Sequence, residues 1–95
     1  MPIRIIGNTI EEILEQLSLT VYGMSIKECY GHASSIKIAK TLKGKIIEIC
    51  VSKKLWDEST TFRMKKSLKI PLQCDIKSIV SHAQKNGIKI SIKMM

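Results

Sequence analysis

The feature that most constrains this chain is an apolar composition dominated by isoleucine and poor in aromatic residues. Apolar residues make up 44% of the 95 positions, and aromatic residues only 4%. Side chains branched at Cβ, such as those of isoleucine and valine, suit the pleated surface of a strand. Because a chain of this length has room for only one core, the sequence predicts a single domain, residues 1–95, with a substantial sheet.

The first part of the chain predicts a strand, a helix and a second strand. Residues 3–6 form a short apolar run typical of a buried strand. Thr9 and Glu12 have the spacing of a capping box, in which each side chain binds a backbone N–H group at the start of a helix. The apolar positions that follow share one helical stripe: Ile10, Ile13, Leu14 and Leu17. The helix is expected to end near Gly23, and residues 25–30 to form the second strand.

Residues 32–43 fit two different structures, and the choice between them affects the fold. A helix is favoured by Ala39 and by Gly44, a residue type that commonly follows the last helical turn. As a strand, alternate residues of 36–42 would share one face, and a two-residue hairpin turn would follow. We expect the helix; the strand would give a ferredoxin-like βαββαβ fold instead.

Alternation between apolar and polar residues predicts a long β-hairpin at residues 45–72. Its second arm, residues 62–72, has the most regular alternation in the chain, and polar residues 57–60 form the turn. A helix that begins at Asp75 and a strand at residues 88–92 follow. Together these elements predict an α+β fold with a small mixed sheet and two or three helices.

The charge of the chain is positive and unevenly distributed. Sixteen Lys and Arg residues face eight Asp and Glu residues, so that the formal net charge is +8. Residues 1–28 carry a net charge of −2, whereas residues 29–95 carry +10. Such an excess of cations is typical of proteins that bind a polyanion, most often nucleic acid. The alternative is that the lysines only keep an isoleucine-rich protein soluble.

The basic face of the predicted hairpin is the first candidate for a nucleic-acid site. Its members are Lys53, Lys54, Arg63, Lys65, Lys66 and Lys69. Side chains two residues apart on a strand lie about 7 Å from each other, a spacing that could follow a phosphate backbone. Because few aromatic residues are present for base stacking, backbone recognition of DNA or RNA is expected. Alternatively, these lysines protect an exposed edge strand from aggregation.

A second candidate is the segment that begins at Gly31 and His32. Glycine and a polar run at a possible helix start would expose backbone N–H groups, which can bind an anion. The alternative is a plain turn with a surface histidine.

The element order and the motif Gly31-His32-Ala33 resemble the Alba family of nucleic-acid-binding proteins. The family's motif is Gly-Arg/Lys-Ala, so that His32 stands where a basic residue is usual, and the predicted hairpin around residues 53–65 corresponds to the family's arms. Residues 73–95 add a helix and a strand that the typical fold lacks. The resemblance implies a homodimer that lays nucleic acid across its body, with a hairpin on either side.

The same segment also resembles the Gly-His-x-Ser-Thr stretch of viral ring nucleases, which degrade cyclic oligoadenylate. That resemblance implies that His32 is a general acid and that Ser34 or Ser35 holds phosphate. Histidine suits the acid role because its charge changes near neutral pH. A third possibility is an interaction module, such as a ribonucleoprotein subunit or a phage inhibitor of a host factor.

Several classes of function are not expected from the residues. Cys29, Cys50 and Cys74 share no close spacing, so that neither a zinc site nor a disulfide framework is predicted. No Ser/His/Asp order, paired carboxylates or phosphate-loop glycines indicate a conventional enzyme or a cofactor. Without a signal peptide or a transmembrane run, we expect a cytoplasmic or nuclear protein with no membrane partner.

Overall fold

A sheet of three parallel strands forms the centre of the fold in a computed structural model that describes residues 2–29, 36–61 and 76–95. The elements of these ranges, in chain order, are β1 (Ile3–Ile6), α1 (Ile10–Tyr22), α2 (Ile26–Cys29), a 3-10 helix (Lys40–Leu42), β2 (Ile46–Val51), α3 (Lys53–Thr61), α4 (Ile76–Lys85) and β3 (Lys89–Met94). Strand β2 lies between β1 and β3, with Ile5, Ile49 and Ile92 in register. Because parallel strands need crossover connections, α1 and α4 each lie in the connection between two neighbouring strands.

One face of the sheet carries the hydrophobic core. Successive side chains of a strand point to opposite faces, and Ile47, Ile49 and Val51 of β2 are fully buried on the face that packs against α1 and α4. The helices contribute their apolar stripes: Ile10, Ile13, Leu14, Leu17, Val21, Ile76, Ile79 and Ala83. Helices α1 and α4 also pack on each other. The described residues therefore form two layers, one of strands and one of helices.

The start of α1 confirms the predicted capping arrangement. The Glu12 backbone N–H donates to Thr9 Oγ1 at 3.1 Å, and the Glu12 carboxylate accepts from the Asn8 backbone N–H at 3.0 Å. The chain enters this turn through Gly7, where an added Cβ would lie 3.0 Å from side-chain atoms of Glu12 and Ile13. Gly7 therefore lets the end of β1 approach α1 closely.

The predicted β-hairpin at residues 45–72 is wrong at its turn, because residues 53–61 form helix α3. The first arm is present as β2 and ends before Ser52. There the hydroxyl of Ser52 accepts a hydrogen bond from the Leu55 backbone N–H at 3.1 Å, an arrangement that starts a helix. The predicted second arm, residues 62–72, lies outside the described residues.

The mixed sheet and the strand at residues 25–30 are also corrected. Every strand pair in the described part of the chain is parallel, because helices rather than hairpin turns connect the strands. Residues 26–29 form α2, a single helical turn. Its start is stabilised by Ser25 and Glu28, since each side chain accepts a hydrogen bond from the other's backbone N–H, at 3.1 and 3.2 Å.

Neither structure expected for residues 32–43 is present in the part that the structure describes. Residues 36–39 have no regular structure, and residues 40–42 form one 3-10 turn. The Ala39 backbone N–H donates to the Val21 carbonyl at 2.7 Å, which attaches this segment to the end of α1. The first strand, the first helix, the last helix and the last strand are confirmed.

Replacing Gly7 with alanine tests the close approach between β1 and α1. We expect Gly7→Ala to lower the free energy of unfolding by about 1–3 kcal/mol, because the new methyl group overpacks a filled site. Urea unfolding measures the change, and Asn8→Ala at the exposed neighbouring position is the control, expected to change little. Equal stability of Gly7→Ala and the wild type would contradict the packing described.

Candidate functional site

The structure places two of the residues predicted to bind nucleic acid. Lys53 and Lys54 are exposed in the first turn of α3, not on a strand. The remaining predicted residues lie outside the described part of the chain: Arg63, Lys65, Lys66, Lys69, Gly31 and His32. The prediction that Lys53 and Lys54 belong to a row of cations on a hairpin is therefore wrong, because both lie at the start of a helix.

A second row of cations lies on the outward face of α4, which the sequence reasoning missed. Lys77, Ser81 and Lys85 are four residues apart and exposed, so that they share one side of the helix at steps of about 6 Å along its axis. The opposite side of α4 packs into the core through Ile76, Ile79 and Ala83. The repeated spacing of Lys, Ser and Lys was the signal available in the sequence.

This face of α4 borders an open cleft of about 350 Å³. We call its lining residues the α4 surface: Lys77, Ser78, Ser81, His82 and Lys85. Lysine ammonium groups and serine hydroxyl groups are hydrogen-bond donors, and an imidazole ring can donate as well. The α4 surface thus combines positive charge with several donors, which is the chemistry that binds phosphate groups.

The imidazole of His82 is oriented by a contact with α1. The Tyr22 hydroxyl lies 3.0 Å from Nδ1 of His82, and the two ring centroids are 5.6 Å apart. Tyr22 is itself buried, with 6% of its surface exposed. The contact engages one ring nitrogen, so that Nε2 is the one left for a ligand in the cleft.

Lys77 connects the α4 surface to α3. Its ammonium nitrogen lies 5.9 Å from the ring centroid of Trp56, which is a cation–π distance. A cation in the first turn of a helix is opposed by the helix dipole, whereas His82 and Lys85 in the last turn are favoured by it. The dipole therefore favours the position of Lys85 and opposes that of Lys77.

Several carboxylates are occupied elsewhere in the molecule. Glu12 and Glu28 accept hydrogen bonds from backbone N–H groups at helix starts, and Glu15 accepts one from the Ile26 backbone N–H at 3.3 Å. Glu48 forms two ion pairs within the sheet. The ion pairs found in the described part of the chain are those of Glu48, and neither includes a lysine of the α4 surface.

Comparison with known proteins identifies no relative, since no family model, curated protein or solved structure matches the chain. Gly31 and His32, on which both family resemblances depend, lie outside the described residues, and the resemblances stay predictions.

The described ranges contain no group of three or more His, Cys, Asp or Glu residues placed to hold a metal ion. None of their helices has the length and apolar character needed to cross a membrane.

Removal of the Tyr22 hydroxyl tests the orientation of His82. We expect Tyr22→Phe to lower the free energy of unfolding by about 0.5–1.5 kcal/mol, because a part-buried hydrogen bond is lost. The ring 15N and 1H NMR signals of His82 should shift in the same variant. Unchanged ring signals would show that the hydroxyl does not bind His82.

Proposed function

We propose that this protein binds nucleic acid through the phosphate backbone, largely without sequence selectivity, and that the α4 surface is the site. The observation that carries the proposal is the aligned row of Lys77, Ser81 and Lys85 beside the cleft. The net charge of +8 supports it, because an excess of cations attracts a polyanion over the whole molecule.

The dimensions of the row suit a nucleic-acid backbone. Lys77 and Lys85 are eight residues apart, which corresponds to about 12 Å along a helix axis. One strand of duplex DNA carries a phosphate for about every 3.4 Å of its axis. Because the backbone winds around this axis, successive phosphates lie farther apart than the axial rise. Lys77 and Lys85 can therefore contact two separate phosphates of one strand, and the Ser81 hydroxyl between them can add a hydrogen bond.

The lysines at the start of α3 extend the same basic region. Lys53 lies three residues before Trp56, and residues at this spacing are neighbours on a helix surface. Trp56 contacts Lys77, so that α3 lies beside the first turn of α4. A backbone bound along α4 could thus continue toward α3.

Recognition of shape and charge fits this surface better than recognition of bases. Sequence-specific binding of single strands generally needs aromatic side chains on which unstacked bases rest. The chain has four aromatic residues in all: Tyr22, Tyr30, Trp56 and Phe62. Of the two in the described part, Tyr22 is buried against α4 and Trp56 is half-buried beneath Lys77.

Charge removal on α4 tests the proposal through the salt dependence of binding. We expect Lys77→Gln/Lys85→Gln to bind a fluorescent DNA duplex more weakly. The slope of log affinity against log salt should also fall by about 1.8, because each lost phosphate contact removes about 0.9. Fluorescence anisotropy, measured from low to physiological salt, gives both quantities.

The matched control is Lys37→Gln/Lys40→Gln, which removes two exposed lysines that do not line the cleft beside α4. It should lower affinity only slightly through the overall charge and should leave the slope nearly unchanged. An equal loss in both variants would show that charge alone, rather than the α4 surface, governs binding. No binding by the wild type at low salt would refute the proposed function itself.

A further inference from the structure

Among the residues of the α4 surface, His82 is the one whose side chain can change its charge near neutral pH. Its imidazole lines the cleft together with Lys77 and Lys85. A lysine keeps its positive charge throughout the physiological range, whereas a histidine gains or loses its charge between about pH 5 and pH 8. The α4 surface can therefore carry either two or three positive charges.

The contact between His82 and Tyr22 suits both charge states of the ring. The Tyr22 hydroxyl lies 3.0 Å from Nδ1 of His82, and a hydroxyl group can both donate and accept a hydrogen bond. It donates to Nδ1 when this nitrogen carries no proton, and it accepts from Nδ1–H in the imidazolium. A backbone carbonyl could only accept, and an ammonium group could only donate. The hydroxyl thus orients the ring without fixing its charge.

The same contact leaves a donor at Nε2. In a neutral imidazole one nitrogen carries the proton and the other is an acceptor, whereas the imidazolium has a proton on both. When the Tyr22 hydroxyl donates to Nδ1 of His82, the single proton of the neutral ring is on Nε2. Nε2–H can therefore donate to a phosphate oxygen in both states. Protonation strengthens this hydrogen bond, because a bond from a charged donor is about twice as strong as a neutral one.

The turn that carries His82 is also held at its backbone. Asn86 Nδ2 donates to the His82 carbonyl at 2.9 Å, and the Ile88 backbone N–H donates to the Ala83 carbonyl at 3.0 Å. Both bonds occupy carbonyls at the end of α4 that have no partner within the helix. The partial negative charge of this helix end favours a positive charge in the last turn. The imidazolium of His82 is thus compatible with its place in the fold.

The charges around this ring come from α4 itself and from the elements packed on it, which are α1, α3 and β3. Helix α1 presents the Tyr22 hydroxyl, and its carboxylates lie in its first two turns, away from Tyr22 at its end. Helix α3 carries Asp57 and Glu58 next to Trp56, which contacts α4 at Lys77. Strand β3 carries its lysines on the sheet face away from the helices. In the described part of the chain, the charges that line the cleft beside the ring are the two lysines of α4.

A phosphate group bound in this cleft would change the balance between the two states of the ring. It supplies negative charge beside His82, and an opposite charge within about 4–6 Å favours the charged form of a titratable group. It also offsets the positive charge of Lys77 and Lys85, which share the cleft with the ring. The imidazolium is therefore favoured more strongly when phosphate is bound than when the cleft holds solvent.

We propose that binding of nucleic-acid phosphate to the α4 surface is coupled to protonation of His82, so that the protein binds more tightly at mildly acid pH. This inference rests on the function proposed above and adds the regulation of the same site. Coupling is reciprocal: if phosphate favours the proton on His82, the proton increases the affinity for phosphate by the same factor. Such factors are typically about 5–150, and this open cleft belongs at the lower end, because solvent and salt screen its charges.

Duplex affinity at about pH 6 and about pH 8 tests the coupling. At constant ionic strength, fluorescence anisotropy should show the wild type binding about fivefold more tightly at the lower pH. The duplex carries no terminal phosphates, because their own charge would change in this range. The ratio of the two affinities should fall close to one in His82→Gln, which cannot take up the proton. It should also fall close to one in His82→Lys, which is charged at both pH values.

The matched control is His32→Gln, because His32 is the second of the two histidines in the chain. This variant should keep the fivefold ratio. Calorimetry in two buffers with different enthalpies of ionisation measures the proton directly. The wild type and His32→Gln should take up a fraction of one proton for each duplex bound near neutral pH, and His82→Gln should take up less. Circular dichroism spectra show whether each variant is folded.

The outcomes separate this inference from the proposed function. Duplex binding with equal wild-type affinity at both pH values, or a ratio that His82→Gln retains, would overturn the coupling and leave the proposed function in place. A ratio lost in His32→Gln and kept in His82→Gln would assign the pH response to His32 instead. No duplex binding at either pH would refute the proposed function and the coupling together.

Discussion

The central strand β2 is the constraint on which the rest of the structure depends. Ile47 and Ile49 are completely buried beneath the helices, while Glu48 between them binds cations from both neighbouring strands on the opposite face. Burying each such isoleucine contributes about 1.5–3 kcal/mol, and the parallel pairing on both sides requires helical crossovers. Both described crossover helices, α1 and α4, therefore pack on the same face of the sheet.

The positions of several charged side chains follow from their roles in local structure. Acidic side chains near the N-terminus satisfy backbone donors at helix starts, which leaves them at α1 and α2. The lysines of α4 serve no such purpose, and Lys77 stands where the helix dipole opposes it. One helical layer therefore presents acidic side chains at the start of α1 and the basic α4 surface.

Local signals in the sequence were sufficient for the elements with strong periodicity, such as α1, whose cap and stripe agree with the structure. These signals predicted the wrong element after β2, where the structure of one turn determines the direction of the chain. A serine after a strand is compatible with a hairpin turn and with the cap of a helix. The alternation of apolar and polar residues before Ser52 does not distinguish the two, and in the structure Ser52 caps α3. The α4 surface was missed because the periodicity of this helix indicates which side packs into the core, and it does not by itself indicate that the exposed lysines form a row. The predicted sites at residues 31–32 and 63–69 lie outside the described residues.

The most direct test of the central claim is a 1H–15N NMR titration of the protein with a short DNA duplex. If phosphates bind along α4, the largest changes should occur at the amides of Lys77, Ser78, Ser81, His82 and Lys85, together with the indole N–H of Trp56. Strands β1 and β3 should change little. Changes confined to residues 36–45 or to strands β1 and β3, with the signals of α4 unmoved, would contradict the account.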